Sequence, residues 1–173
     1  MSAIGEIADD GTIIDCPCGA GPALRALRPD AEVRYVAADL SPSMLSRARK
    51  RAQARGLADV DFVMADATDI PEPGNSADLF LSYWGLHCFG EPAAAIDEAA
   101  RLLKPGGRLV GSCFVLEPIT LRQRLLLRPN TGDFGPIGTQ AEVEGWLASA
   151  GFEPPRTRRS GPMLFFDTSL THG

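Results

Sequence analysis

The apolar positions of this chain follow two periods that take turns along it. Thr12-Ile-Ile-Asp15 reads as a short buried strand, and Glu32–Ala38, Val60–Ala65, Ala77–Ser82 and Arg108 to about Val115 read as four more. Between them the spacing becomes helical: Met44, Leu45, Ala48 and Ala52 share one face, as do Ile96, Ala99, Ala100 and Leu103. Pro22 opens a predicted helix to Arg28, Ser41-Pro42 supplies a cap and a first helical residue, and Gly56 and Lys104-Pro-Gly-Gly107 close later helices. From Leu116 the alternation lapses. Ile119–Arg128 suits a short helix, and the Gly- and Pro-bearing stretch to Gly138 suits an irregular excursion over the site. Thr139-Gln-Ala-Glu142 is a capping box, and its helix points Val143, Trp146, Leu147 and Ala150 inward before Gly151 stops it. Two final strands, near Pro155–Ser160 and Met163–Leu170, flank the hairpin signal Gly161-Pro162.

Repeated strand-helix alternation requires crossover connections, so the order predicts an α/β domain, 1–173, with helices on both faces of a largely parallel sheet. Ligands of such sheets sit beyond the carboxyl ends of the strands, where strand order reverses. Asp15, Asp39, Asp66 and the loop from Ser82 to Phe89 all fall at those ends. Gly19 and Gly21 follow the first of them and let the backbone come close to a ligand.

Composition narrows the function classes. The 173 residues suit one domain, and a net charge of −5 disfavours non-specific attraction to nucleic acid or to an anionic membrane. Arg47, Lys50, Arg51 and Arg55 cluster on one helix, which reads as a solvated face. No apolar run reaches the length of a membrane span, and the first ten residues have acids and no basic leader, so the cytoplasm is the expected compartment. Cys16, Cys18, Cys88 and Cys113 lack the spacing of a disulfide framework or a metal knuckle and read as small apolar side chains; no metal site is expected.

The ordered set of motifs resembles the class I S-adenosylmethionine-dependent methyltransferases, in particular those acting on small molecules, over about residues 12 to 170. The family's first motif, D-x-G-x-G-x-G, is matched by Asp15-Cys-Pro-Cys-Gly-Ala-Gly21 except that Pro17 stands for the first glycine. Proline donates no hydrogen bond, so a backbone N–H contact at that point is lost. The resemblance implies a Rossmann-like three-layer sandwich, with a mostly parallel seven-stranded sheet ending in an antiparallel hairpin. It also implies S-adenosylmethionine as cofactor. Gly19 and Gly21 would line the methionine moiety, Asp15 would act near its amino group through water, and Asp39 would accept both ribose hydroxyls. Asp66 would accept from the adenine amine, Ala67 would add backbone contacts, Leu40 and Met44 would flank the ring, and Ser82 completes this set. Each acid also has a plain local reading: a helix cap for Asp15, a turn for Asp39, an Asx turn for Asp66.

Methyl transfer from a sulfonium needs a positioned nucleophile and, for some acceptors, a base. His87 is the candidate base in the acceptor wall; its alternative is packing within the loop. Tyr83, Trp84 and Phe89 form a candidate acceptor pocket or close the core. Ser82-Tyr-Trp-Gly85 does not match the [D/N]-P-P-[Y/F] motif of nucleic-acid amino methyltransferases, so the expected partner is a small-molecule, lipophilic acceptor and no nucleic acid. With the first strand beginning at Thr12, little chain precedes it to cover the acceptor side. Cover would come from the Leu116–Gly138 excursion, from a second chain in a homo-oligomer, or not at all. Two rivals remain. A nicotinamide-binding domain would need a small residue where Leu24 stands. A non-catalytic domain that binds S-adenosylmethionine or a partner would share the same motifs.

Overall fold

Thr12–Asp15 forms the central strand β1, with β2 (Arg34–Asp39) and β4 (Ala77–Tyr83) beside it in parallel. β3 (Val60–Met64) extends the sheet beyond β2, and β5 (Leu103–Phe114) extends it beyond β4. β7 (Met163–Ser169) then runs antiparallel to both β5 and β6 (Arg156–Ser160), which gives seven strands in the order β3-β2-β1-β4-β5-β7-β6. The computed structural model describes residues 3–116 and 138–172. The order reverses between β1 and β4, so the switch point opens above Asp15 and Tyr83.

Side-chain alternation along the strands feeds two cores. Ile14, Val36, Phe80, Leu109 and Phe166 face α2 (Pro92–Leu102) and α3 (Gln140–Ser149), which contribute Ile96, Ala99, Val143 and Leu147. Ile13, Tyr35, Leu79 and Leu81 face α1 (Pro42–Ala54) and two short 3₁₀ turns, Ala3–Glu6 and Ala23–Ala26. Three layers result, as expected from the alternating pattern. The caps also form as read: Ser41 Oγ accepts from the Met44 N–H ahead of Pro42, and Thr139 and Glu142 make the reciprocal capping box.

Two expectations change. The helix predicted over Pro22–Arg28 is one 3₁₀ turn, with Pro22 ahead of it and Leu27 already extended. The segment is short, Pro29 disfavours a helical Arg28, and burying both Leu24 and Leu27 suits a tight turn better than a longer cylinder. The second change is at Lys104-Pro-Gly-Gly107, which does not end α2 in a loop but runs within β5, with a register shift opposite Ala77–Leu79 that absorbs Pro105 and Gly106. The helix predicted over Ile119–Arg128 and the excursion up to residue 137 lie outside the described residues.

Gly21 shows what the first turn requires. It has φ +72°, and a Cβ there would lie 2.7 Å from Leu24 Cδ1 and 3.2 Å from Ala48 Cβ, so the loop is seated directly on α1. Gly19 also has a positive φ, +53°, but open space around it. Gly21→Ala is therefore expected to lower stability by about 2–4 kcal/mol, strain plus overpacking, and Gly19→Ala by only about 1–2 kcal/mol. Urea unfolding of the two variants measures the difference; equal losses would mean that α1 yields freely at Ala48.

Candidate active site

Three backbone N–H groups, two bonded to carbonyls and one to a carboxylate, carry the chain from β1 into its loop. Cys16 N–H donates to Leu81 O at 2.9 Å, Cys18 N–H to Ala38 O at 2.8 Å, and Gly19 N–H to Asp39 Oδ2 at 2.8 Å. Asp39 Oδ1 accepts from the Ser41 N–H at 2.9 Å. One carboxylate thus ties the loop after β1 to the start of α1. Each carboxylate oxygen has two acceptor positions, so each keeps one for a ligand.

Asp39 opens onto a cleft of about 480 Å³ walled by Cys16, Pro17, Leu40, Asp66, Ala67 and Phe89. That is within the roughly 300–1,000 Å³ of small-molecule sites. Leu40 is 66% exposed, which no core role explains, and beside two carboxylates it offers an apolar flank for a flat ring. Asp66 Oδ1 accepts from the Thr68 N–H at 2.9 Å and from its hydroxyl at 2.8 Å, the Asx-turn geometry, and these donors hold its pKa below the usual carboxylate value. Two acceptor carboxylates, an exposed leucine and a small-residue wall fit a ligand with a diol, an amine-bearing ring and an apolar edge.

Other predicted site residues, Gly19 among them, do not line this cleft. Asp15 is 2% exposed and accepts the Tyr35 hydroxyl at 2.7 Å; burial pushes its pKa up to about 7 against that hydrogen bond. Gly21 serves the packing on α1, and Met44 does not line the cleft. Ser82 is 3% exposed, and its Oγ has no partner among the described residues. It is sealed by the next turn: a Cβ at Gly85 would overlap Ser82 Oγ and lie 2.8 Å from Pro17 Cδ and 3.1 Å from Phe89 Cζ.

The acceptor candidates separate. Phe89 lines the cleft, whereas Tyr83 and Trp84 line a second depression of about 630 Å³ with Pro22, Ala23, Val110 and Phe165. Trp84 is held at φ +60° with its N–H donated to Ser112 O at 2.8 Å, and it is 56% exposed. His87 is at neither place. It is 2% exposed, its Nδ1 accepts from the Phe114 N–H at 3.2 Å, and its ring packs edge-on to Phe114 with centroids 4.7 Å apart. Burial lowers its pKa, which keeps the ring neutral. With Nδ1 accepting, the neutral ring carries its proton on Nε2, a geometry that favours the packing and hydrogen-bonding alternative for His87 over the general base.

Sequence reasoning missed two partners: Tyr35, which caps buried Asp15, and the pair Glu98–Arg101, which grips the loop behind Asp66. An i,i+3 Glu/Arg pair on an otherwise apolar face was the available signal for the second.

A family model described as a methyltransferase domain matches residues 14–111, more than half of the chain and the span that builds the cleft. The chain belongs to the class I S-adenosylmethionine-dependent methyltransferases. S-adenosylmethionine is its cofactor, and the cleft's acceptor carboxylates and apolar wall suit that molecule. Among relatives, the demethylmenaquinone methyltransferase of Clavibacter sepedonicus is 38% identical over 122 residues, which is 70% of this chain and 48% of that protein. The demethylmenaquinone methyltransferase of Thermus thermophilus is 42% identical over 101 residues, 57% of this chain and 44% of that protein. The chain therefore spans about half the length of these methyltransferases. The fold matches phosphoethanolamine N-methyltransferase 2 of Haemonchus contortus in complex with S-adenosyl-L-methionine, with TM-score 0.85, 16% identity, and coverage of 98% of this chain and 51% of that one. It also matches a putative methyltransferase from Bacillus halodurans, with TM-score 0.82, 17% identity, and coverage of 98% and 96%.

Asp15 gives a pH prediction. Its folded pKa, about 7, lies above the ordinary 3.8, so its contribution is complete below the ordinary value and is lost as pH rises toward the folded one. Stability is expected to fall by up to ~1.4 kcal/mol per pH unit between about pH 4 and 7 from this group. Asp15→Asn should flatten that slope in urea unfolding series; an identical slope in both proteins would mean that Asp15 titrates normally.

Proposed function

We propose that this chain transfers the methyl group of S-adenosylmethionine to a small, lipophilic acceptor. The observation that supports this most is Asp39, whose oxygens each retain one acceptor position where they open onto the cleft. In this reading those positions take the two ribose hydroxyls, and Asp66 accepts the adenine amine through Oδ2. Leu40 and Ala67 flank the ring, and Gly19, Cys16 and Pro17 lie along the methionine moiety. Asp15 and Ser82 are buried behind the wall, and Gly21 seats its loop on α1.

When bound, the cofactor supplies an already activated methyl group on a sulfonium. The chain's own contribution is to hold the acceptor in line and keep water away, with Phe89 on the cleft side and Tyr83 and Trp84 on the far side of the β4 end. Because the His87 Nδ1 lone pair is engaged, the acceptor is one that loses its proton without an imidazole base. The relatives' names, demethylmenaquinone methyltransferase and ubiquinone/menaquinone biosynthesis C-methyltransferase, support an apolar ring compound over a nucleic acid. No helix of the described residues is long and apolar enough to cross a membrane.

Asp39→Ala is expected to weaken S-adenosylmethionine and S-adenosylhomocysteine equally, by about tenfold or more, since the ribose is common to both and bonds to a charged group are among the stronger ones. Asp39→Asn should be milder, because the amide keeps one oxygen. Calorimetric titration measures both, and unequal losses would move Asp39 away from the ribose. Incubation with methyl-labelled donor and a set of demethylated quinols tests transfer itself; donor binding without label in any acceptor would leave a binding domain only.

A further inference from the structure

The loop between β3 and β4 carries Asp66, Ala67 and Thr68 to the cleft, yet contains no helix or strand of its own. A loop reading a flat base needs to be stiff, because each degree of freedom it loses on binding subtracts from affinity. Its stiffness comes from a polar clamp on α2. Glu98, 7% exposed, accepts the Ile70 N–H through Oε1 at 2.9 Å. Both of its oxygens also accept from Arg101, Oε2 from Nε at 2.7 Å and Oε1 from Nη2 at 2.7 Å. Arg101 in turn donates from Nη2 to Ile70 O at 3.1 Å and from both Nη atoms to Glu72 O at 3.2 Å. The two residues thus grip Ile70 by its N–H and its carbonyl, while the Ile70 side chain is 1% exposed in the core.

A second arginine closes the outer end. Arg34, at the start of β2, holds the Glu72 carboxylate with Nη1 to Oε2 at 2.7 Å and Nη2 to Oε1 at 2.9 Å. Further on, Asn75 N–H donates to Arg101 O and Ser76 N–H to Leu102 O, both at 2.9 Å. The loop is therefore fixed on α2 from Ile70 onward, and the Asx turn at Asp66, closed by Asp69 N–H donating to Asp66 O at 3.1 Å, joins directly to that anchor. Glu98 is the buried half of this pair and Arg101 the half-exposed one, so the buried carboxylate has hydrogen-bond donors on both oxygens and accepts them in one geometry, which a purely apolar anchor would not specify.

We propose that Glu98 and Arg101 are positioning residues for base selection: by clamping Ile70 and Glu72 they fix the Asp66–Thr68 turn so that it distinguishes adenine from other bases. This rests on the reading of Asp66 as the acceptor for the adenine amine. Neither residue touches the ligand. Loosening the clamp frees Asp66 to turn away, so the preference for an amine over a carbonyl on the ring declines while the ribose contact at Asp39 persists.

The test is calorimetric titration of S-adenosylhomocysteine and S-inosylhomocysteine, whose ring has a carbonyl in place of the amine, against the unsubstituted chain, Glu98→Ala and Arg101→Met. The Arg101 site is half-exposed, so that variant serves if Glu98→Ala does not fold. The unsubstituted chain should prefer the adenosyl ligand by about tenfold, the weight of one charge-assisted hydrogen bond. Each variant should reduce that preference to within about threefold, mainly through weaker adenosyl binding. A variant that weakens both ligands by one factor and keeps the preference would overturn the proposal, since general destabilisation acts on both alike. If the unsubstituted chain shows no preference, the reading of Asp66 fails by itself, and amide exchange then decides on the clamp. Faster exchange of the Thr68–Glu72 amides in the variants, with α2 unchanged, supports it, and unchanged exchange overturns it.

Discussion

The carboxylate of Asp39 is the point on which the site depends. Its two oxygens accept the Gly19 and Ser41 N–H groups and so join the β1 loop to the entry of α1. This link adds to the Cys16 and Cys18 backbone hydrogen bonds and the seating of Gly21 on α1, where the next element along the chain is one 3₁₀ turn rather than a longer helix. The same carboxylate is presented to the cleft. A group used twice in this way is preorganised: its orientation is fixed by the backbone before any ligand arrives, so binding costs little ordering of the side chain. It also means that shortening Asp39 removes a structural brace together with a ligand contact, and that the asparagine variant separates the two better than alanine.

Burial sorts the other polar groups. Asp39 and Asp66 accept backbone N–H groups where a ligand can reach them, whereas Asp15 sits under the sheet end against the Tyr35 hydroxyl, and desolvation dominates its titration. His87 follows the same rule. Packed on Phe114 and accepting its backbone N–H, it ties the turn after β4 to the end of β5. The acceptor side consequently has apolar and aromatic character, from Phe89 in the cleft and Trp84 on its other side, without a free imidazole there among the described residues.

Much of this was readable in the sequence because it is local. Strand periodicity, the Ser41-Pro42 and Thr139–Glu142 caps, and the Gly161-Pro162 hairpin each depend on a few neighbouring residues, and each forms as expected. The acids at strand ends were legible as a row because parallel strands bring their carboxyl ends together. Depth was not legible. Nothing in Asp15-Cys-Pro-Cys tells that Asp15 lies below the cleft surface, since that depends on Tyr35, brought beside it by strand pairing. The Pro22–Arg28 helix failed for a related reason: local propensity favoured it, and the tertiary demand to bury Leu24 and Leu27 against the sheet overrode it. Glu98 is buried only because the β3–β4 loop folds back over it, a contact between segments far apart in the chain.

The central claim is that the Asp39 cleft is built for an adenosyl sulfonium ligand and not for a dinucleotide. Both ligands carry an adenosine, but the dinucleotide needs close helix-strand packing at the position of Leu24, a fully buried leucine that blocks it. The most direct measurement is parallel calorimetric titration of the unsubstituted chain with S-adenosylhomocysteine and with NAD. Saturable binding of S-adenosylhomocysteine in the micromolar range, roughly −8 kcal/mol, with no heat from NAD is the predicted result. Tight NAD binding with no response to S-adenosylhomocysteine would contradict it.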